Sequence, residues 1–135
     1  MDKISLEIVT PERLLFSGEV DQLFLPGAAG YLGVLPGHAP LLSELSIGTI
    51  TYFQDGRETR LFCRRGFVEI LHGRVTVLAE AAETPDQIDV DQAKADREKI
   101  WSLLQARDED FDYDAAMDRW SDAQARLDAA GKGGG

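Results

Sequence analysis

The sequence predicts an all-β N-terminal sandwich of about ten short antiparallel strands, followed by a C-terminal α-helical hairpin. Three observations carry this. Apolar residues recur with period two up to about residue 82, and with a three-to-four period from Val90 onward. Between the two regimes, Thr84-Pro85-Asp86-Gln87 breaks the pattern. The predicted units are a β domain over 1–84, a two-helix hairpin over 85–130 and a disordered tail over 131–135.

The strands follow in order. Ile4, Leu6 and Ile8 alternate with Ser5, Glu7 and Val9; Leu23 and Leu25 flank Phe24; Ile50 and Tyr52 flank Thr51; Val75 and Val77 flank Thr76. Turn signals separate these runs at Thr10-Pro11, Ser17-Gly18, Pro26-Gly27, Asp55-Gly56, Arg65-Gly66 and His72-Gly73. Asp55-Gly56 between alternating segments is the strongest hairpin signal, because a type I′ turn needs positive φ at both central residues. Such spacing fits an antiparallel sandwich or barrel.

Gly30-Tyr31-Leu32-Gly33-Val34-Leu35-Pro36-Gly37-His38-Ala39-Pro40-Leu41 stands apart. Its glycines open positive-φ conformations, its prolines lock φ, and Leu32, Val34 and Leu35 want burial. That combination predicts a strand running into a rigid corner, which suits a docking surface better than a hinge.

Beyond the break, Ala93, Ile100, Trp101 and Leu104 share one side of a helix over roughly 89–106. The acidic connection Asp108-Glu109-Asp110-Phe111-Asp112 follows, and Asp112 or Asp114 can cap a second helix. The second stripe is Tyr113, Ala116, Met117, Trp120, Ala123, Leu127 and Ala130. Helices this short depend on packing. Burying Trp120 and Leu127 is worth about 2–3 kcal/mol each, a docking energy small enough for a partner to compete with. A movable hairpin and a static one both fit the periodicity.

Composition narrows the function. The chain has 135 residues and 44% of them are hydrophobic, enough for one core and an appendage. Lys and Arg number 14 against 24 Asp and Glu, a net charge of −10, which excludes nucleic acid or an anionic lipid surface as the dominant partner. The single Cys63 forms no internal disulfide and fits a reducing compartment. No signal or transit pattern and no membrane-length apolar run is visible.

No convergent catalytic set emerges. His72 reads as a solvated turn residue, whereas His38 in the corner divides between a binding-surface role and an ordinary loop role. Neither has a partner at metal-ligand spacing. Cys63 reads as a small core residue, with Arg64-Arg65 placed to lower its pKa if it were reactive. The carboxylates of 108–114 lack the glycine and the terminal glutamate of an EF-hand loop, and read as a solvated turn. No phosphate-binding glycine loop occurs. The expectation is therefore no enzyme, no metal and no resident cofactor.

Gly33-Val34-Leu35-Pro36-Gly37-His38-Ala39-Pro40-Leu41 resembles the epsilon subunit family of F-type ATP synthases. Further islands agree in order: Val9-Thr10-Pro11-Glu12, Phe16-Ser17-Gly18, Leu25-Pro26-Gly27, Gly66-Phe67-Val68-Glu69-Ile70, Val75-Thr76-Val77-Leu78-Ala79-Glu80 and Ile88-Asp89-Val90. The resemblance implies a non-catalytic rotor subunit of a proton-translocating synthase, whose sandwich joins the gamma subunit to the c-ring. It also implies helices that reach the alpha/beta catalytic head and inhibit ATP hydrolysis. The implied location is peripheral, on the cytoplasmic face of a bacterial plasma membrane, with a thylakoid as the alternative. Carried over by position, Thr10, His38, Ala39, Pro40 and Leu41 face gamma, and Gly30, Tyr31, Leu32 and Gly33 face the c-ring. Tyr31 departs from the polar or acidic residue common there, which points to aromatic packing.

The same resemblance implies an alternative role, nucleotide sensing by ATP held between hairpin and sandwich through Glu83, Ile88, Asp89, Ala93 and Arg126. Two departures weigh against it. Gln92 stands where the ATP-binding motif has arginine, and Asp122 where relatives tend to be basic; neither supplies a guanidinium to phosphate. From Asp89 onward the chain has 12 acidic and 7 basic residues, so inhibition by charge attraction to an acidic segment of the head is weakened. Met117 and Trp120 offer an apolar contact instead, and the arm is expected to inhibit modestly.

Overall fold

The computed structural model describes residues 2–106 and 109–131. Seven strands precede two helices: β1 (Ile4–Val9), β2 (Leu14–Val20), β3 (Gln22–Gly27), β4 (Gly30–Val34), β5 (Leu41–Gln54), β6 (Arg57–Leu71) and β7 (Arg74–Glu83), then α1 (Val90–Ala106) and α2 (Tyr113–Ala129). They form one sheet in the order β2-β1-β7-β6-β5-β3-β4.

The expected count of about ten strands falls to seven because several turn signals lie inside strands. Ser17-Gly18 sits within β2, Pro26-Gly27 within β3 and Arg65-Gly66 within β6. β5 and β6 are 14 and 15 residues long and stay in register across the Arg65-Gly66 bend, from Leu41↔Ile70 to Gln54↔Arg57. Their C-terminal and N-terminal parts belong to one layer with β3 and β4, and the rest to the other layer with β7, β1 and β2. The two long strands thus bend through both layers of the sandwich. A second difference is that β1 and β7 pair in parallel, a pairing that needs a crossover and that alternation cannot reveal.

Asp55-Gly56 and His72-Gly73 form the hairpin turns, each with both central residues at positive φ. Lys3 fastens the start of β1 to the first of these, pairing with Asp21 and, at 3.1 Å, with Asp55. The Lys3 ammonium holds the Asp21 carboxyl below its ordinary range.

Alternate residues of both layers meet in one core, including Ile4, Leu6, Ile8, Leu23, Ile50, Val68, Val75 and Val77. Cys63 lies in it with no solvent exposure. Burial, and secondarily Glu80, pushes its thiol up to about 12, so the neighbouring arginines do not activate it. The unfolded thiol ionises near 9 while the folded one does not, so its contribution to stability is complete below pH 9 and lost as pH rises toward 12. Between those values wild type is expected to lose up to about 1.4 kcal/mol per pH unit more than Cys63→Ala does. Urea unfolding of both proteins at pH 8 and pH 10 checks this; equal losses refute it.

Asp112 is the cap of α2, its carboxylate accepting from the Ala115 N–H at 3.0 Å. Ala93 and Ile100 of α1 are buried as expected, and so are Ala116, Ala123 and Leu127 of α2. The aromatic part of both stripes is not. Trp101, Tyr113 and Met117 are exposed and Trp120 is half-buried, with the two indoles 6.0 Å apart. The sheet is contacted chiefly by the C-terminal half of α2, which leaves these side chains near the far end of the hairpin. Asp108 and the tail Lys132–Gly135 lie outside the described residues.

Candidate functional sites on the sandwich and beneath the hairpin

The corner is rigid for local reasons. Pro36 and Gly37 occupy the central positions of a turn closed by the His38 N–H to the Leu35 carbonyl at 3.1 Å, with Gly37 at φ 87°. His38 Nδ1 donates to the Ala39 carbonyl at 2.6 Å, which holds the ring against the corner. Ala39 and Pro40 are exposed, and Leu41 is half-buried where β5 begins. Thr10 is buried; its hydroxyl donates to the Arg13 carbonyl at 3.3 Å and closes its own turn. Its part in any interface is to support the surface rather than to present a donor.

Between Thr10 and Leu41 lies a feature that sequence reading missed. The cross-strand register Leu14–Val9–Leu78–Phe67 runs over β2, β1, β7 and β6 on the outward face of the sheet. Leu14, Leu78 and Phe67 are 55%, 53% and 49% exposed, and Leu42, on the same face, is 71% exposed. A shallow groove of about 350 Å³ follows the row, lined by Val9, Thr10, Pro11, Phe67 and Leu78. Leu41 pairs with Ile70 three residues along the strands, so the corner starts roughly 10 Å from this row on the same layer. On a chain of net charge −10 an exposed apolar row of this kind is a surface that a protein partner can cover. The signal was present in outline, since Phe67 and Leu78 fall on the outward parity of their strands, but only register places them side by side.

Gly30–Gly33 lies in strand β4 rather than in a turn, and of its two large side chains Tyr31 is 65% exposed while Leu32 is half-buried. The Tyr31 hydroxyl accepts the Thr49 N–H at 2.9 Å, and Leu32 packs against the core. Gly48 makes room for this: a Cβ there would lie 2.7 Å from the Tyr31 oxygen and 2.6 Å from Pro26 Cβ. The β3–β4 turn reaches solvent through Ala28 and Ala29, braced by the Ala28 N–H on the Glu44 carbonyl at 3.0 Å. Tyr31 has an exposed ring flank, but its polar end belongs to the sandwich.

The hairpin is folded back onto the outward side of β5 and β6. Phe62, Ile88, Ala125 and Ala129 form its apolar contact. Around them, Arg64 pairs with Asp122 through two nitrogens, the Nε contact being 3.1 Å. Arg65 reaches Asp118 at 2.8 Å, and Arg126 reaches Glu83 at 2.6 Å. These pairings hold the Arg64 and Arg65 guanidinium groups above their usual range. Arg126 also stacks on the Phe62 ring at 4.2 Å.

Glu83, Ile88, Asp89, Ala93 and Arg126 do gather here, but as structural elements. Ile88 and Ala93 are buried, Asp89 accepts the Gln92 N–H at 3.0 Å at the start of α1, and Glu83 occupies Arg126. The Gln92 amide donates to Asp96 at 2.8 Å. The adjoining cleft of about 300 Å³ is lined by Arg64, Lys99, Arg119 and Arg126, but also by Asp96 and Asp122. Two of its four cations are already paired to carboxylates, so these residues do not fit a triphosphate. Among the described residues no cluster of three or more His, Cys, Asp or Glu could hold a metal ion.

Residues 3–85 match the family model of the ATP synthase delta/epsilon chain β-sandwich domain. The chain belongs to this ATP synthase delta/epsilon family. Family membership makes it a subunit of the synthase, not its catalytic part. The ATP synthase epsilon chain of Desulforamulus reducens is 41% identical over 125 residues, covering 93% of this chain and 95% of the relative. That of Koribacter versatilis is 47% identical over 104 residues, covering 77% and 73%. A chain in the Euglena gracilis mitochondrial ATP synthase complex superposes with a TM-score of 0.80 at 20% identity, over 96% of this chain and 82% of the other. One in the central stalk/c-ring complex of Tetrahymena thermophila superposes at 0.65 and 13% identity, over 96% and 97%. At such identities the fold alone is what is shared. No helix among the described residues is long and apolar enough to cross a membrane.

Proposed function

We propose that this chain is the coupling piece of the synthase rotor, joining gamma to the c-ring. The observation that carries the reading is the exposed Leu14–Val9–Leu78–Phe67 row beside the stiff Pro36–Leu41 corner. An apolar strip of this kind gains about 25 cal/mol per Å² when a partner covers it, and a rigid backbone loses little entropy on docking. Gamma takes this strip and corner, with Thr10, His38, Ala39, Pro40 and Leu41 in or under the contact. The turn at Ala28–Ala29 and the start of β4, with Gly30, Tyr31, Leu32 and Gly33, face the c-ring at the cytoplasmic face of the membrane. The hairpin modulates hydrolysis by swinging toward the alpha/beta head, where Trp101, Met117 and Trp120 supply apolar contact. Purification of the tagged chain from its own membranes tests the coupling: gamma and the c-ring come with it. A monomer that ignores gamma overturns the reading.

Among the described residues, the sandwich core contains none from 88 onward. Deleting residues 88–135 is therefore expected to leave gamma binding intact. ATPase activity rises by less than about tenfold, under ~1.4 kcal/mol of barrier. Turnover measured on reassembled complexes decides it, and unchanged activity makes the hairpin purely structural.

A further inference from the structure

We propose that α2 is held on the sandwich by an ionic latch within the chain itself, Asp122 on Arg64, Asp118 on Arg65 and Arg126 on Glu83, so that the hairpin docks without a bound ligand and is released by competing salt. Its effect on hydrolysis rests on the rotor reading above; the latch itself needs only this chain.

The apolar seal beneath the hairpin is thin. In the cluster of Phe62, Ile88, Ala125 and Ala129, with Ile47, Val90 and Ala130 at its margin, α2 and its cap contribute only alanines. Each buries little more than a methyl group, so the apolar gain per turn of helix is small. The polar contacts are dense by comparison. Besides the three ion pairs, Arg60 donates to the Asp128 carbonyl at 3.3 Å and the Thr49 hydroxyl to the Ala125 carbonyl at 3.5 Å.

The contacts repeat because α2 runs along β6. Outward residues of β6 recur every two positions, about 6.6 Å, and one face of a helix recurs every three to four, about 4.5–6 Å, a difference that the long arginine side chains span. Arg60, Phe62 and Arg64 therefore meet Asp128, Ala125 and Asp122 in turn as α2 runs against β6. Arg65, at φ 50° in the bend, turns outward to extend the series to Asp118. Asp122 gives its carboxylate to Arg64 with both residues less than half-exposed, so the cation that an anionic ligand would need is already neutralised. Salt at 1 M shortens the screening length to about 3 Å and weakens all three pairs together.

Hydrogen–deuterium exchange on the full chain tests this, with Cys63 thiol labelling as a monitor of the sandwich core. In 1 M NaCl, α2 amides are expected to exchange at least tenfold faster than in 20 mM NaCl, while Cys63 stays unlabelled. Asp122→Asn combined with Asp118→Asn does the same at low salt. The exchanged pair Arg64→Asp with Asp122→Arg restores the slow rate. ATP at millimolar concentration leaves wild-type exchange unchanged. Salt-independent exchange in wild type overturns the latch even if the variants misfold. Slower exchange with ATP overturns its independence of ligand.

Discussion

Replacing Gly66 with alanine is expected to unfold the sandwich or leave it barely stable. A Cβ at this position would fall inside contact distance of the Leu78 carbonyl oxygen and 2.9 Å from Ala79 Cα, both backbone atoms that cannot rotate away. The glycine also has φ 136°, a conformation strained for any L side chain. Relief requires β6 and β7 to separate at the bend that carries β6 from one layer to the other, breaking ladder bonds on both sides of Gly66↔Ala79. The combined cost is expected to exceed about 4 kcal/mol, a large part of the 5–15 kcal/mol that holds a domain of this size. Gly30→Ala separates the two causes. That residue has φ 132° with nothing within 4 Å of the added carbon, so only the backbone strain of about 1–3 kcal/mol remains. Urea unfolding of the three proteins gives the order. Equal midpoints for Gly66→Ala and wild type would show that the bend relaxes without cost.

The second large effect falls on assembly. Phe67→Asp together with Leu78→Asp is expected to weaken association with gamma by a hundredfold or more while the chain still folds. Both side chains are about half-exposed and point away from the core, so the folded chain loses no core packing, and the repulsion of two carboxylates opposite each other across β6 and β7 costs about 1 kcal/mol. In a covered interface each aspartate becomes a desolvated, unpaired charge, and central apolar anchors lost in this way cost about 2 kcal/mol or more apiece. Titration of labelled gamma with wild type and variant, beside a thermal melt of each, measures both quantities. Undiminished association moves the gamma contact off this face. A collapsed melting transition would mean instead that the row supports the fold.

Much of the fold was legible because its determinants are local. Asp55-Gly56 and His72-Gly73 turn where positive φ is cheapest, Asp112 caps α2, and the inward parity of Ile4, Leu6 and Ile8 holds. Arg65-Gly66 misled for an equally physical reason. The same dipeptide chemistry that closes a turn also bends a continuous strand, and only pairing on both sides distinguishes them. Trp101 and Met117 misled in another way. Periodicity shows which residues share a helix face, but not how far along the helix a neighbour extends to cover it.

The sites divide along the same line. The stiffness of the corner around His38, Pro40 and Leu41 was legible because proline and glycine constrain their own backbone. Phe67 and Leu78 were not, because each is one outward residue on its strand and becomes a surface only beside the other. Asp122 looked like a lost cation for a ligand, whereas it is the partner of Arg64, 58 residues away.

What this sequence determined alone is whatever a residue imposes within a few positions of itself: the alternation, the turns, the helix cap and the stiff corner. The tertiary structure decided which strands lie side by side, where β6 bends and which arginine each acid of α2 meets. Those outcomes depend on contacts between residues far apart in the chain, whose positions are set by packing the whole sheet and not by the conformational preference of any one segment.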